Sequence, residues 1–216
     1  MLDRDRVLAW LGENVSPRRL QHILSVEKTS IELARLHRVD EDKAAVAGLL
    51  HDLAKFFPPA KLLVMMTKEE SQIDPVCAAN PHLLHADASA IVARDEFGVE
   101  DEEILTAIRN HTLGSPQMSD LSCIIFVADA IEPLRGNSAE LEKLRLLSKE
   151  DLDKSLQQTC DYSLRYLIDT YRIIHPRTIL TRNWAVEKVK KKQLLQSERE
   201  KVTDSKLNSN KNCVIE

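Results

Sequence analysis

The chain has few of the residues that build sheets, turns and disulfide frames. Five glycines and an aromatic content of 4% in 216 residues leave too little turn and strand material for a sandwich or barrel. Four cysteines (Cys77, Cys123, Cys160 and Cys213) are scattered, with no C-x-x-C pair, so neither a disulfide scaffold nor a cysteine zinc knuckle is expected. Reduced thiols fit a cytoplasmic setting. No apolar run approaches the roughly 18 residues of a membrane span, and the acid-bearing start "MLDRDRVLAWLGENV" does not read as a signal peptide. A net charge of −4 gives no general pull toward nucleic acid.

What is present is helix-forming. Leu, Ala, Glu, Lys and Arg dominate, and 43% of the chain is hydrophobic, enough for a sizeable core. Helices are expected over 3–13, from Pro17 (with Ser16 as cap) to His37, over 41–55 behind Asp40, and over 59–66. Thr67 and Glu70 have the spacing of a capping box, and 75–82 reads as a loop. Further helices are expected over 82–97, closed by Gly98, over 102–111 behind Asp101, and over 120–132 behind Ser119, where a strand is the alternative. Another fits 138–147. A long one fits 149–173, with Ser148 and Asp151 resembling its cap and His175-Pro176 as its break. The fold class is therefore all-α. Residues 1–185 form the folded unit, and 186–216 form a charged helical or disordered tail.

Within "GLLHDLAKFFPP" (48–59), His51 and Asp52 stand side by side at the end of an apolar run. A charge buried there is costly unless it is paired or holds a metal. The chain then offers an ordered set of further donors: His22, His85, His111, and Asp129 in "FVADAIEPLR". Imidazoles and carboxylates without a thiolate suit a divalent transition metal such as iron, manganese or zinc, and disfavour a structural zinc site. A lone histidine on an apolar face is more often an ordinary core residue, so the ordered set carries the argument. Neighbouring residues diverge by about 100° around a helix, so His51 and Asp52 converge on one ion only beyond a helix end.

The stretches "RLQHILSVEKTSIELARLH", "KAAVAGLLHDLAK", the H-T-x-G-x₃-M-S block at 111–119, the A-D-x-I-E-P-x-R block at 128–135 and "PRTILTRNW" carry a resemblance. The sequence resembles the YqeK family of HD-domain symmetrical diadenosine tetraphosphate hydrolases, over roughly residues 4–185. The resemblance implies an HD-domain helical bundle and a metal set of His22, His51, Asp52, His85, His111 and Asp129 around two irons, with manganese as the substitute. Asp52 would bridge the ions, and Asp52 with His111 would carry the chemistry. Ala86 stands where the family often has glycine, and His82 is the alternative to His85.

Hydrolysis of a phosphoanhydride needs a nucleophile near neutral pH, and metals lower the pKa of bound water toward about 7. It also needs cations for the phosphates. Lys55, Arg135 and Arg19 (or Arg18) lie near the motif residues, Thr112 and Gly114 offer a hydroxyl and a backbone donor, and Arg182-Asn183 would close the site. Each of these cations has an ordinary surface reading as well. The implied reaction gives two ADP. Another HD-domain nucleotidase or phosphodiesterase and a non-catalytic nucleotide-binding regulator are the competing readings. Lys190-Lys191-Lys192 reads as a solvated helix face rather than a nucleic-acid or ribosome contact, "CVIE" at the terminus as chance, and homodimerisation stays open.

Overall fold

A computed structural model describes residues 2–212, with side chains through residue 198. Eleven α-helices follow one another among the described residues: α1 (Arg4–Asn14), α2 (Pro17–His37), α3 (Glu41–Leu50), α4 (Pro59–Lys68), α5 (Pro75–Ala79), α6 (His85–Phe97), α7 (Glu102–Asn110), α8 (Asp120–Ile131), α9 (Ala139–Glu150), α10 (Leu152–Asp169) and α11 (Pro176–Asn212). Short 3₁₀ turns at Pro81–Leu84 and Pro133–Arg135 precede α6 and follow α8. No strand occurs among the described residues. No described helix is long and apolar enough to cross a membrane.

Helix starts are set locally. Ser16, Asp40, Asp101, Ser119 and Ser138 each accept a hydrogen bond from a backbone N–H of the first turn that has no partner inside the helix. Gly98 ends α6 in the left-handed region at φ 67°, where glycine has no Cβ to clash.

The middle of the fold is α8. Leu121 through Ala128 are buried without exception, so this helix has no solvent face and must be enclosed. It contacts α2, α3, α7, α9 and α10. The closest pairing is α2 with α3, at Gly48, where a Cβ would come within 2.8 Å of the Glu27 Cα. The result is a core of α2, α3, α7 and α8 with α6 laid against α3 and α7. His22 sits in α2, His51 and His111 cap the C-termini of α3 and α7, His85 opens α6, and Asp129 lies in the last turn of α8.

The all-α expectation holds, and several boundaries differ. Helix α3 stops at Leu50, and residues 51–56 form turns, which puts His51 and Asp52 at a helix end. Thr67 and Glu70 form no capping box: the Thr67 hydroxyl donates to Leu63 O inside α4, and Glu70 has φ 53°. The stretch read as a loop holds α5, capped by Asp74, and a 3₁₀ turn. The apolar run at 120–131 is helix, since a residue row buried on every side needs no strand alternation. Ser148 lies in α9 and donates to Arg145 O, while Asp151 alone caps α10. Helix α10 ends at Asp169, short of 173. Helix α11 runs through position 186 without a break: Lys188 pairs with Asp120 and Asp153, and Lys192 with Asp151 and Asp153. Residues 213–216, including Cys213 and the last part of the expected tail, lie outside the described residues. Cys77, Cys123 and Cys160 are buried free thiols.

Candidate metal centre

Three of the four core histidines are oriented by the same local device. His51 Nδ1 donates to Gly48 O at 2.7 Å, His85 Nδ1 to His82 O at 2.7 Å, and His111 Nδ1 to Ile108 O at 2.8 Å. Each acceptor is the carbonyl three residues back, at the end of an α-helix or 3₁₀ turn, and the His82 and Ile108 carbonyls accept the backbone N–H of the same histidine as well. His22 lies inside α2 and has no such carbonyl. Its Nδ1 lies 2.9 Å from Glu132 Oε1, across 110 residues of chain. Carbonyl and carboxylate oxygens only accept, so all four protons of the neutral rings sit on Nδ1 and all four Nε2 lone pairs face inward.

Asp52 stands between those lone pairs. Its Oδ2 faces His51 Nε2 at 3.5 Å and His22 Nε2 at 3.9 Å. Asp129 Oδ1 completes that side, 3.0 Å from His22 Nε2 and 3.8 Å from His51 Nε2. Asp52 Oδ1 faces the other pair, His85 Nε2 at 3.4 Å and His111 Nε2 at 3.5 Å. One carboxylate thus gives one oxygen to each of two histidine pairs. Ligands about 2.1 Å from a common ion stand roughly 3–3.5 Å apart, and the distances here run from 3.0 to 3.9 Å.

The polar accounting also favours a cation. His22 Nε2, His51 Nε2 and Asp52 Oδ1 are buried without an aligned hydrogen-bond partner. Leaving three such atoms unsatisfied is costly. His85 and His111 bring their Nε2 atoms within 3.2 Å of each other. The Thr112 hydroxyl lies 3.0 and 2.9 Å from them, and it has one proton to give. Two subsets, His22–His51–Asp129 and His51–Asp52–His111, meet the geometry of a metal site. The residues present therefore fit a divalent cation.

Burial sets the electrostatics. It pushes the His51 imidazole down to about 4 and lowers His85 as well, which keeps both rings neutral and able to ligate. At His22 burial acts the same way, but the Asp129 and Glu132 carboxylates facing its two ring nitrogens outweigh it and raise the ring. Burial alone would raise Asp52 and Asp129. The facing imidazoles, with Lys55 at Asp52 and Arg135 at Asp129, hold both carboxyls well below the usual range.

Three cations reach the cluster. Arg19 Nη1 lies 2.8 Å from Asp52 Oδ2, Lys55 Nζ 3.0 Å from His85 Nε2, and Arg135 pairs with Asp129 through its Nη2 while its Nε donates to Asp129 O at 2.7 Å. Arg145 fixes the turn that carries Arg135, donating to Ile131 O, Glu132 O and Gly136 O. Two cavities open on either side. One, of about 450 Å³, runs from Thr112 and Asp129 to Phe126, Tyr162 and Tyr166. The other, of about 500 Å³, is lined by Arg18, Arg19, His22 and Phe56. Arg135 lines both.

The structure brings His22, His51, Asp52, His85, His111 and Asp129 together, with Arg19, Lys55, Thr112 and Arg135 around them. His85, not His82, is the buried inward ring, and Ala86 is buried behind it. It does not bring in Arg182 or Asn183: Arg182 Nε bonds Asp161 at 2.8 Å, Asn183 is exposed, and neither lines a cavity. Gly114 offers no free donor, because its N–H bonds Asn110 O. It is needed for another reason. At φ 65° its Cα faces Thr181, where a Cβ would overlap, and Thr181 Oγ1 donates to Leu113 O. That contact ties the H-T-x-G block to "PRTILTRNW".

Glu132 was not among the expected site residues. It is 1% exposed, and its oxygens hold His22 Nδ1 and the Leu134 N–H. The signal was an acid inside the A-D-x-I-E-P-x-R block, next to an apolar helix.

Comparison with known proteins agrees with this geometry. The family model described as "HD domain" matches residues 19–134. The chain is 36% identical over 182 residues to a symmetrical bis(5'-nucleosyl)-tetraphosphatase of Halalkalibacterium halodurans, covering 84% of this chain and 96% of that protein. It is 36% identical over 185 residues to the protein of the same name from Bacillus subtilis, covering 86% and 98%. A crystal structure of a predicted HD superfamily hydrolase involved in NAD metabolism, from Clostridium acetobutylicum, superposes with a TM-score of 0.83 at 36% identity, over 87% of this chain and 99% of that one. The chain belongs to the HD-domain family, in the branch that contains the symmetrical bis(5'-nucleosyl)-tetraphosphatases.

Proposed function

We propose that this protein is a divalent-metal-dependent hydrolase that cleaves diadenosine tetraphosphate between its two central phosphates, releasing two ADP. The carrying observation is the division of Asp52, one oxygen to His22 and His51 and the other to His85 and His111. The names of the relatives support the substrate and the symmetry of cleavage.

Two iron ions, replaceable by manganese, suit a donor set of four imidazoles and two carboxylates without a thiolate. Such ions supply charge neutralisation at the phosphoryl group and a water that is nucleophilic near pH 7. The chain supplies the rest. Asp52 and His111 hold the reacting region, with His111 locked by its Ile108 carbonyl. Arg19, Lys55 and Arg135 are already in place with their charges on carboxylate or imidazole groups, and they exchange those partners for phosphate oxygens when the substrate enters. Thr112 adds a hydroxyl at the His85–His111 side. We place the catalytic residues within 1–185, with α11 running on past 186 and tied to the fold by Lys188 and Lys192, and the enzyme in the cytoplasm, where the buried thiols stay reduced.

Product analysis tests the assignment. Protein purified anaerobically and loaded with iron or manganese is incubated with diadenosine tetraphosphate, and the nucleotides are separated. ADP as the sole product is expected. ATP with AMP, ADP binding without turnover, or faster turnover of nucleoside monophosphates would overturn it.

A further inference from the structure

The two cavities beside the metal cluster have different chemistry, although the substrate proposed above has two identical ends. The first presents Phe126, Tyr162 and Tyr166 with Leu83 and Ile173 beyond Thr112 and Asp129. At about 450 Å³ it has the size and the aromatic, mostly apolar wall of a nucleoside pocket. The second is lined by three arginines, Arg18, Arg19 and Arg135 (the last shared with the first cavity), against one acid, Glu132, whose carboxylate is engaged by His22 and the Leu134 N–H, with Phe56 and Leu134 as its apolar side chains. Both of those are more than half exposed, whereas the first cavity, though Tyr166 and Ile173 are as exposed, also has the buried Phe126 and Leu113 in its wall; the Arg19 guanidinium already stands over the Phe56 ring, 5.9 Å from its centroid. Such a cavity matches phosphate oxygens and offers a second base no enclosed apolar wall.

We propose that only one nucleoside of the substrate is read, in the Phe126–Tyr162–Tyr166 cavity, and that the enzyme therefore also hydrolyses nucleoside tetraphosphates that carry a single base. Adenosine 5′-tetraphosphate would give ADP and pyrophosphate. The water oxygen bonds to one of the two inner phosphorus atoms. The bridging P–O bond breaks, the bridging oxygen leaves with the other half, and the water gives up one proton to the departing phosphate or to solvent. The distal two phosphates then lie against Arg18, Arg19 and Arg135, where the far ADP half of diadenosine tetraphosphate would lie. The proposal rests on the hydrolase reading above.

The test compares diadenosine tetraphosphate with adenosine 5′-tetraphosphate on the same metal-loaded wild-type protein. Their kcat/KM values are expected to agree within about tenfold, since the second nucleoside contributes little transition-state binding. A larger deficit for adenosine 5′-tetraphosphate, with ADP still formed from diadenosine tetraphosphate, overturns this inference and leaves the hydrolase reading standing. No ADP from either substrate overturns the hydrolase reading, and the inference with it. Two variants separate the cavities. Tyr162→Ala should raise KM for both substrates in parallel. Phe56→Ala should leave the ratio of the two kcat/KM values unchanged, and a loss confined to diadenosine tetraphosphate would show that a second base stacks there and would refute the proposal.

Discussion

Two clusters in this fold bring histidine and aspartate together, and they do opposite things. In the core, four imidazoles turn their Nε2 lone pairs toward Asp52 and Asp129, and those of His22 and His51 are left without an aligned partner. At the start of α11, His175 meets Asp74 and Cys77 at distances that would also suit an ion. There the ring is turned the other way. The Arg177 N–H donates to His175 Nδ1 at 3.0 Å, so the ring proton sits on Nε2 and goes to Asp74 Oδ2, also at 3.0 Å. Asp74 Oδ1 meanwhile accepts from the Val76 and Cys77 N–H groups. Burial pushes the Cys77 thiol up to about 12, so it stays protonated. The second cluster is a closed latch between two helix N-termini, and the first is a cage of convergent lone pairs. The difference lies in whether the backbone offers Nδ1 an acceptor, as at His51, His85 and His111, or a donor, as at His175, not in which residue types are present.

The largest effect expected from breaking that contrast is at Asp52. Asp52→Ala removes the carboxylate that gives one oxygen to each histidine pair, so bound metal and ADP formation should fall together by more than roughly a hundredfold, beyond the usual cost of losing an outer partner. Metal analysis alongside the product assay checks this, and full metal content with full activity would contradict the centre as drawn. Next comes Glu132→Ala, which frees the His22 ring. Metal affinity should drop by about 10–100-fold, with partial rescue in Glu132→Gln, whose amide oxygen still accepts from Nδ1. Titration with manganese followed by chelator competition would measure it.

A third effect is in pH. His51 is held neutral down to about 4 in the folded chain, while a histidine in the unfolded chain takes up its proton near 6.5. Between those values the unfolded state binds the extra proton. The contribution of His51 to the stability of metal-free protein is therefore fully present above about pH 6.5 and lost as pH falls toward 4. Urea unfolding of chelator-treated protein at stepped pH should show that decline, and His51→Gln should flatten it. An unchanged slope in the variant would place the proton uptake elsewhere. The smallest effect belongs to the latch. Asp74→Ala should cost about 1–2 kcal/mol for a lost cap and a lost hydrogen bond, with metal content unchanged. Loss of metal in that variant would erase the distinction between the two clusters.

Much of this was legible from short stretches of chain. Helix starts at Pro17, Glu41, Glu102 and Asp120 follow from the capping residue before each, because the contact spans only two or three positions. His51, His85 and His111 are oriented by carbonyls three residues away, so the strongest part of the site is also local. The misread segments have a common cause. Thr67 and Glu70 carry a capping pattern, but Thr67 lies in the last turn of α4 and Glu70 just beyond its end, and α3 stops at Leu50, before the expected 55. Arg182 looked like a site closer, and its reach is spent on Asp161.

By itself the sequence determined the all-helical class and the order of the helices apart from α5, and it offered six candidate donor residues, since composition, caps and ligand chemistry are properties of single residues and near neighbours. Only the tertiary structure decided that Glu132 holds His22 from 110 residues away, that Asp52 divides its oxygens between two histidine pairs, and that His175 and Asp74 close on each other. Those outcomes depend on where side chains point once distant helices pack around α8, and a ring or carboxylate direction has no signature in a string of residues.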